Sequence, residues 1–180
     1  MFVAALLPEE IKELINEYLG ALKPACEGVK WERREKLHVT LKFLGDVDEL
    51  QTGLVTAAID KLLPAFSPFE TNVTTLGGFP NLRNPRILYV GLSENRELEA
   101  FHEKIERELG SLGFVSERRK FTPHVTVGRI KSRLKLKNPL AMPERTSFEI
   151  DKIGVMKSEL GKEGSVYTPL SLFNLGNKNS

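Results

Sequence analysis

The sequence predicts an α+β fold of two lobes related by a pseudo-twofold axis, with antiparallel-rich sheets flanking a central cleft. Three observations carry that prediction. First, His-Val-Thr occurs twice, at His38–Thr40 and His124–Thr126, in a chain of 180 residues with three histidines. At ordinary residue usage that recurrence has a chance of about one per cent. Second, sliding the chain by the 86 residues between His38 and His124 lays the apolar run Phe2–Leu7 on Leu88–Ser93 and the helical pattern after Pro8 on the one after Ser93. A strand-helix-strand unit is thus repeated without net insertion, as a duplication leaves it. Third, both His-Val-Thr copies read as strands of Val, Thr, Leu and Phe, in which successive side chains alternate between faces. His38 and Thr40 then share one face and His124 and Thr126 another, opposite apolar Val39, Leu41, Phe43, Val125 and Val127. The symmetry would bring the two polar faces together across the cleft.

In chain order, Phe2–Leu7 is a short apolar run that reads as a buried strand. Pro8-Glu9-Glu10 opens a helix, since proline is tolerated in the first turn and acids are favoured there. Its apolar face is Ile11, Leu14, Ile15, Tyr18, Leu19 and Leu22, and Pro24 closes it. Trp31 and Arg33-Arg34 lead into the first His strand, which ends at Gly45-Asp46. A helix over Glu49–Leu63 and a strand over Phe69–Leu76 follow. Gly77-Gly78-Phe79-Pro80, Asn81 and Asn84-Pro85 make a turn-rich loop placed to border the site. Ile87–Leu92 is a second apolar strand. Ser93 or Asn95 caps a helix built on Leu98, Phe101, Ile105, Leu109 and Leu112 that stops at Gly113. The second His strand spans Thr122–Ile130. Ser147–Met156 and Val166–Leu172 read as closing strands separated by a turn at Gly161–Gly164, and the terminus from Gly176 as frayed. Together these make one two-lobed domain over residues 1–180, expected to be a monomer.

The formal net charge of +2 hides an asymmetry. Residues 118–137 hold eight Lys/Arg and no acid, and residues 30–42 hold five against Glu32 and Glu35, so the two windows carry +11 and the rest of the chain −9. Both windows contain a His-Val-Thr copy, which concentrates positive potential where an anion such as phosphate would sit. The lysines of 131–137 also fit a solvated loop. One cysteine, Cys26, allows no intramolecular disulfide, no apolar run approaches the length of a membrane span, and the first residues lack a signal peptide's basic region. A cytoplasmic protein with no membrane association is expected.

Two facing imidazoles suit concerted acid–base catalysis, because an ordinary pKa near 6.5 lets one ring act as base while the other is protonated. Such a pair needs no metal or other cofactor. The hydroxyls of Thr40 and Thr126 and the guanidinium of Arg129 would donate to the non-bridging oxygens of a phosphate. Arg129 breaks the repeat, since it corresponds to Phe43. Plain alternation puts it on the face opposite His124, so its participation requires a bulge or twist, for which Gly128 is the candidate. Lys42 shares the His38 face by the same alternation. His102 lies on or beside the apolar stripe of its helix and reads as packing or as partnering at the surface. Trp31, Phe79, Phe121 and Tyr167 are available to stack on a base or to pack. Phosphate-loop, zinc and nucleophile-elbow motifs are absent. Two other classes stay open: a binding module with the same basic cleft, and a metal hydrolase using His38, His124 and a carboxylate.

His38-Val-Thr-Leu-Lys-Phe-Leu-Gly and Pro123-His-Val-Thr-Val-Gly-Arg resemble the paired H-x-T-x signatures of the two-histidine phosphoesterases, in the branch called RNA 2′,3′-cyclic phosphodiesterase or 2′-5′ RNA ligase. Phe2-Val-Ala-Ala-Leu-Leu-Pro-Glu-Glu, Trp31, Gly78-Phe79-Pro80 and Pro85-Arg-Ile-Leu-Tyr-Val-Gly-Leu are similar to other segments of that branch. The resemblance implies a two-lobed α+β fold and, as substrate, an RNA 2′,3′-cyclic phosphate end or a cyclic nucleotide, opened to a 2′-phosphate. It also implies His124 as the proton acceptor that activates water and His38 as the proton donor to the leaving oxygen. With a 5′-hydroxyl replacing water, the same groups would join RNA ends through a 2′-5′ bond without ATP.

Overall fold

A computed structural model describes residues 1–131, 146–161 and 164–176. The elements, in chain order, are β1 (Phe2–Leu6), α1 (Glu9–Leu22), β2 (Val29–Trp31), β3 (His38–Phe43), α2 (Glu49–Leu62), β4 (Phe69–Phe79), β5 (Ile87–Leu92), α3 (Arg96–Ser111), β6 (His124–Ile130), β7 (Ser147–Ile150), β8 (Lys152–Gly161) and β9 (Gly164–Asn174). The predicted repeat is visible: β1, α1 and β3 correspond at the expected offset to β5, α3 and β6. The class is α+β, with every strand pairing antiparallel.

The strands follow the order β7-β4-β5-β6-β3-β1-β8-β9, with β2 added to β6. The two halves meet along β6, which pairs with β3 through Val39 and Val125 and with β2 through Val29, Lys30 and Trp31. The flanks of the predicted cleft are therefore continuous through β6 and its two partners. Alternate residues of the strands face a shared apolar core, where Val39, Val125, Val127, Ile153 and Val155 are fully buried. The helices close that core with the faces their spacing predicts: Ile11, Ile15 and Leu19 from α1, and Leu98, Phe101, Ile105 and Leu109 from α3. Burying each such side chain contributes roughly 1.5–3 kcal/mol.

Local sequence fixes the element ends. Asp48 and Gln51 form a reciprocal capping box at the start of α2. The Asn95 side chain accepts from Leu98 N at 2.8 Å, so Asn95 is the cap of α3 and Ser93 is not. Ser93 instead donates or accepts at Thr71 and accepts from Asn72 N. Gly113 takes φ +91°, as a helix-ending glycine does.

Three expectations are corrected. β4 continues through Gly77 and Gly78 to Phe79, because a Cβ at Gly77 would fall inside the Tyr89 ring on the paired strand. Those glycines serve a close approach, and the turn begins after them. Ser147–Met156 is two strands: the chain breaks at Asp151, sending β7 to β4 and β8 to β1. The short β2, containing Trp31, was not expected. It fits because a Cβ at Gly128 would come within 2.8 Å of Val29. The basic tail beyond Lys131, the centre of the Gly161–Gly164 turn and the frayed terminus beyond Gly176 lie outside the described residues.

Candidate active site

The two His-Thr strands are each interrupted by a bulge, and the bulges obey the repeat. On β3, Thr40 pairs with Ala4 and Lys42 with Val3, which leaves Leu41 as the extra residue. On β6, Thr126 pairs with Tyr89 and Gly128 with Leu88, which leaves Val127 extra. Leu41 and Val127 are equivalent positions of the duplication. A bulge sends two successive residues to one side and re-aims those that follow. Arg129 is thereby turned onto the His124–Thr126 face, and Phe43, its counterpart, onto the His38–Thr40 face, where it is 73% exposed. The residue inserted is Val127. Gly128 contributes by leaving room for Val29 and Trp31.

The same bulge corrects the expectation for Lys42. It points away from His38, is buried, and its Nζ donates to Glu106 Oε2 at 2.7 Å and to the Val115 carbonyl at 2.9 Å. His102 packs as expected, stacked on Phe121 with ring centres 4.1 Å apart.

An open cleft of ≈ 330 Å³ lies on the polar face. His38, Thr40, Thr126 and Arg129 line it together with Glu32, Lys36, Phe43 and Tyr167. His124 stands beside it rather than in its lining, with Phe79 and Tyr89 edge-on at 5.0 and 5.2 Å. The Val39–Val125 pair directs His38 toward Thr126 and His124 toward Thr40, as neighbours in an antiparallel ladder must be. His38 has its own aromatic enclosure: Phe2 stacks on it at 4.9 Å and Tyr167 meets it edge-on at 5.4 Å.

Both rings are held in one tautomer. Nδ1 of His38 lies 2.6 Å from the Lys36 carbonyl, and Nδ1 of His124 lies 2.6 Å from the Thr122 carbonyl, again equivalent positions. A carbonyl only accepts, so each Nδ1 donates and each Nε2 is left to exchange a proton. Nε2 of His38 faces the Thr40 hydroxyl at 3.2 Å. Burial lowers the pKa of both rings below the ordinary value, the carbonyl bonds oppose that shift, and the neighbouring His124 lowers His38 further. The pair is therefore poised neutral until an anion arrives to stabilise an imidazolium.

Arg129 Nε sits 3.6 Å from Glu32 Oε1, the guanidinium half-exposed and the carboxylate largely covered. Lys36 lies over the Tyr167 ring at 5.8 Å. Of the four aromatics expected to stack or pack, Tyr167 faces the cleft, Phe79 walls His124, Phe121 covers His102, and Trp31 packs against the core. Sequence reasoning did not find Phe43 or Glu32 as cleft residues. Phe43 had a signal, because the repeat pairs it with Arg129. Glu32 had none, since its partner at the shifted position is Arg118.

The family model described as LigT like Phosphoesterase matches the chain twice, over residues 6–89 and 90–167, one match for each half of the repeat. A Methanothermobacter thermautotrophicus protein named RNA 2′,3′-cyclic phosphodiesterase is 32% identical over 180 residues, covering 97% of each chain. A Methanocaldococcus jannaschii protein of the same name is 34% identical, covering 93% of this chain and 95% of its own. Among solved structures, a Thermus thermophilus protein superposes with a TM-score of 0.88 at 26% identity, covering 99% and 98% of the two chains. E. coli LigT complexed with 3′-AMP gives 0.80 at 24%, covering 98% and 97%, a likeness of fold. With two family matches spanning most of its length and two symmetry-related His-x-Thr strands, the chain belongs to the LigT-like phosphoesterases, a branch of the two-histidine phosphoesterases.

Proposed function

We propose that the cleft hydrolyses RNA 2′,3′-cyclic phosphate ends to 2′-phosphomonoesters by metal-independent acid–base catalysis. One observation carries the reading: both imidazoles are locked by backbone carbonyls in the same tautomer. The names of the relatives support the substrate. His124 Nε2 takes a proton from water as the water oxygen attacks phosphorus. The bond from phosphorus to the 3′-oxygen breaks as that oxygen receives the proton of His38 Nε2, and the phosphate remains on the 2′-oxygen. Thr40, Thr126 and Arg129 hold the non-bridging oxygens, where charge shifts in the transition state. Among the described residues no group of three or more His, Cys, Asp or Glu converges as a metal site would. The same proton transfers serve a 5′-hydroxyl in place of water, which would give a 2′-5′ bond.

The test is incubation with RNA ending in a 2′,3′-cyclic phosphate, with and without EDTA, resolving 2′- from 3′-phosphate. EDTA-resistant formation of the 2′-phosphate is expected. His38→Ala and His124→Ala should each lower turnover by about two to four powers of ten while RNA stays bound. An intact cyclic end with RNA bound would move the assignment to a binding module, and loss of turnover in EDTA to a metal hydrolase.

A further inference from the structure

The cleft that receives the phosphate contains a carboxylate as well as cations. Glu32 follows the last residue of β2, and its N–H donates to the carbonyl of Val127, the bulge residue of β6, at 2.9 Å. That bond ties Glu32 to the feature that aims Arg129. Its carboxylate faces Arg129 Nε at 3.6 Å, which leaves the two terminal guanidinium nitrogens to meet a ligand. The Glu32 side chain is 19% exposed, so its charge is only partly screened by solvent. Across the cleft, burial and then Glu32 raise the pKa of the Tyr167 hydroxyl, while Arg129 and a hydrogen bond with Ser165 oppose that rise. The charged groups of the lining are Lys36, Arg129 and the Met1 ammonium, which donates to the Gly45 carbonyl at 2.6 Å, against the carboxylates of Glu32 and Asp46. Glu32 reduces that surplus of cations, and a doubly charged phosphate loses more by the reduction than a singly charged one.

We infer that Glu32 sets the charge preference of the cleft, positioning Arg129 while selecting singly charged phosphodiesters over doubly charged phosphomonoesters. This rests on the hydrolase reading for its meaning in turnover. A 2′,3′-cyclic phosphate carries one negative charge, and its opened product carries close to two at neutral pH. Both feel the same repulsion per unit charge, so the product is repelled twice as strongly as the substrate. Hydrolysis thus converts a ligand the cleft tolerates into one it expels.

The experiment is equilibrium binding of adenosine 2′,3′-cyclic monophosphate and adenosine 2′-monophosphate at pH 8 to the full chain, with Glu32, Glu32→Gln or Glu32→Asp. His124→Ala is present throughout, so that the cyclic ester persists. Glu32→Gln should tighten the cyclic ester about threefold and the monoester about tenfold, the square of the first factor, because the same potential acts on each unit of ligand charge. Glu32→Asp should keep the wild-type ratio. In the protein with His124 intact, Glu32→Gln should strengthen product inhibition relative to KM. An equal change for both ligands, or equal weakening of both, would reduce Glu32 to a support for Arg129 and overturn the inference. Failure of the His124-containing protein to open any cyclic ester would instead overturn the hydrolase reading, and the binding ratio would still decide the role of Glu32.

Discussion

Each imidazole carries its proton on the nitrogen bonded to a carbonyl, and burial makes a second proton harder to accept. That has a readable consequence for rate. The pH dependence of kcat/KM reports the unliganded protein, so its acidic limb follows the proton acceptor and its basic limb the proton donor. Both rings lie below the ordinary histidine value, so kcat/KM should peak below about pH 6.5. The basic limb of kcat should lie higher, because the bound anion favours the imidazolium. Initial rates from pH 4.5 to 9 check this, and a kcat/KM optimum above pH 7 would show that burial does not govern the pair. Arg129→Ala should raise KM and lower kcat together, costing about ten- to a thousandfold in kcat/KM, as expected for removal of a charge-stabilising donor. The two histidines and two threonines were legible as a repeated motif. Arg129 was legible only as a departure from the repeat, and the carboxylate beside it was not legible at all, since nothing in its neighbourhood of sequence points to a contact with β6.

At the scale of elements, the bulges explain most of what alternation misassigns. Period-two reading puts Lys42 in the site and Phe43 in the core, and one extra residue at Leu41 exchanges them. Hydrophobicity cannot announce such an insertion, because Leu41 is as apolar as a core residue should be. The split of Ser147–Met156 did leave a trace. Phe148 and Ile150 are buried in one phase and Ile153 and Val155 in the other, a slip of one residue at Asp151. The loop glycines were legible as glycines but not as to purpose. Gly77 yields its space to Tyr89, whose ring is a wall of the His124 enclosure. Gly77→Ala should therefore cost about 1–3 kcal/mol of stability through overpacking and lower kcat more than it raises KM. Urea denaturation beside steady-state kinetics tests it, and full stability with full kcat would show that Tyr89 moves aside at no cost.

For the molecule as a whole, the backbone seam between the halves, where β6 meets β3 and β2, is reinforced by side chains. Lys42 of β3 and Glu106 of α3 come from different copies of the repeat and meet at 2.7 Å with both largely buried. Removing one partner strands the other, so Lys42→Met should destabilise by about 3–5 kcal/mol. Joint replacement with Glu106→Leu should recover much of that loss, and thermal melts of the three variants measure it. All three histidines have pKa values lowered by burial, His102 among them. The unfolded chain takes up these protons near pH 6.5 and the fold only at lower pH, so stability should decline as pH falls below about 6.5. A melting temperature unchanged between pH 7.5 and 5 would contradict the shifts. The overall class and the duplication were legible, because hydrophobic period and an 86-residue offset are properties of sequence. Strand order was not, because which edge a late strand joins is decided by packing across the whole core.

That order has a consequence for synthesis. β1 lies between β3 and β8, so it gains its first neighbour soon after it is made and its second only after α2, β4, β5, α3, β6 and β7 have been made. At ordinary elongation rates of about 5–20 residues per second, the nascent amino-terminal half would wait on the order of ten seconds with an apolar strand edge unsatisfied. Stalled chains ending before Lys152 should be cut by protease near β1, and released full-length chains should not.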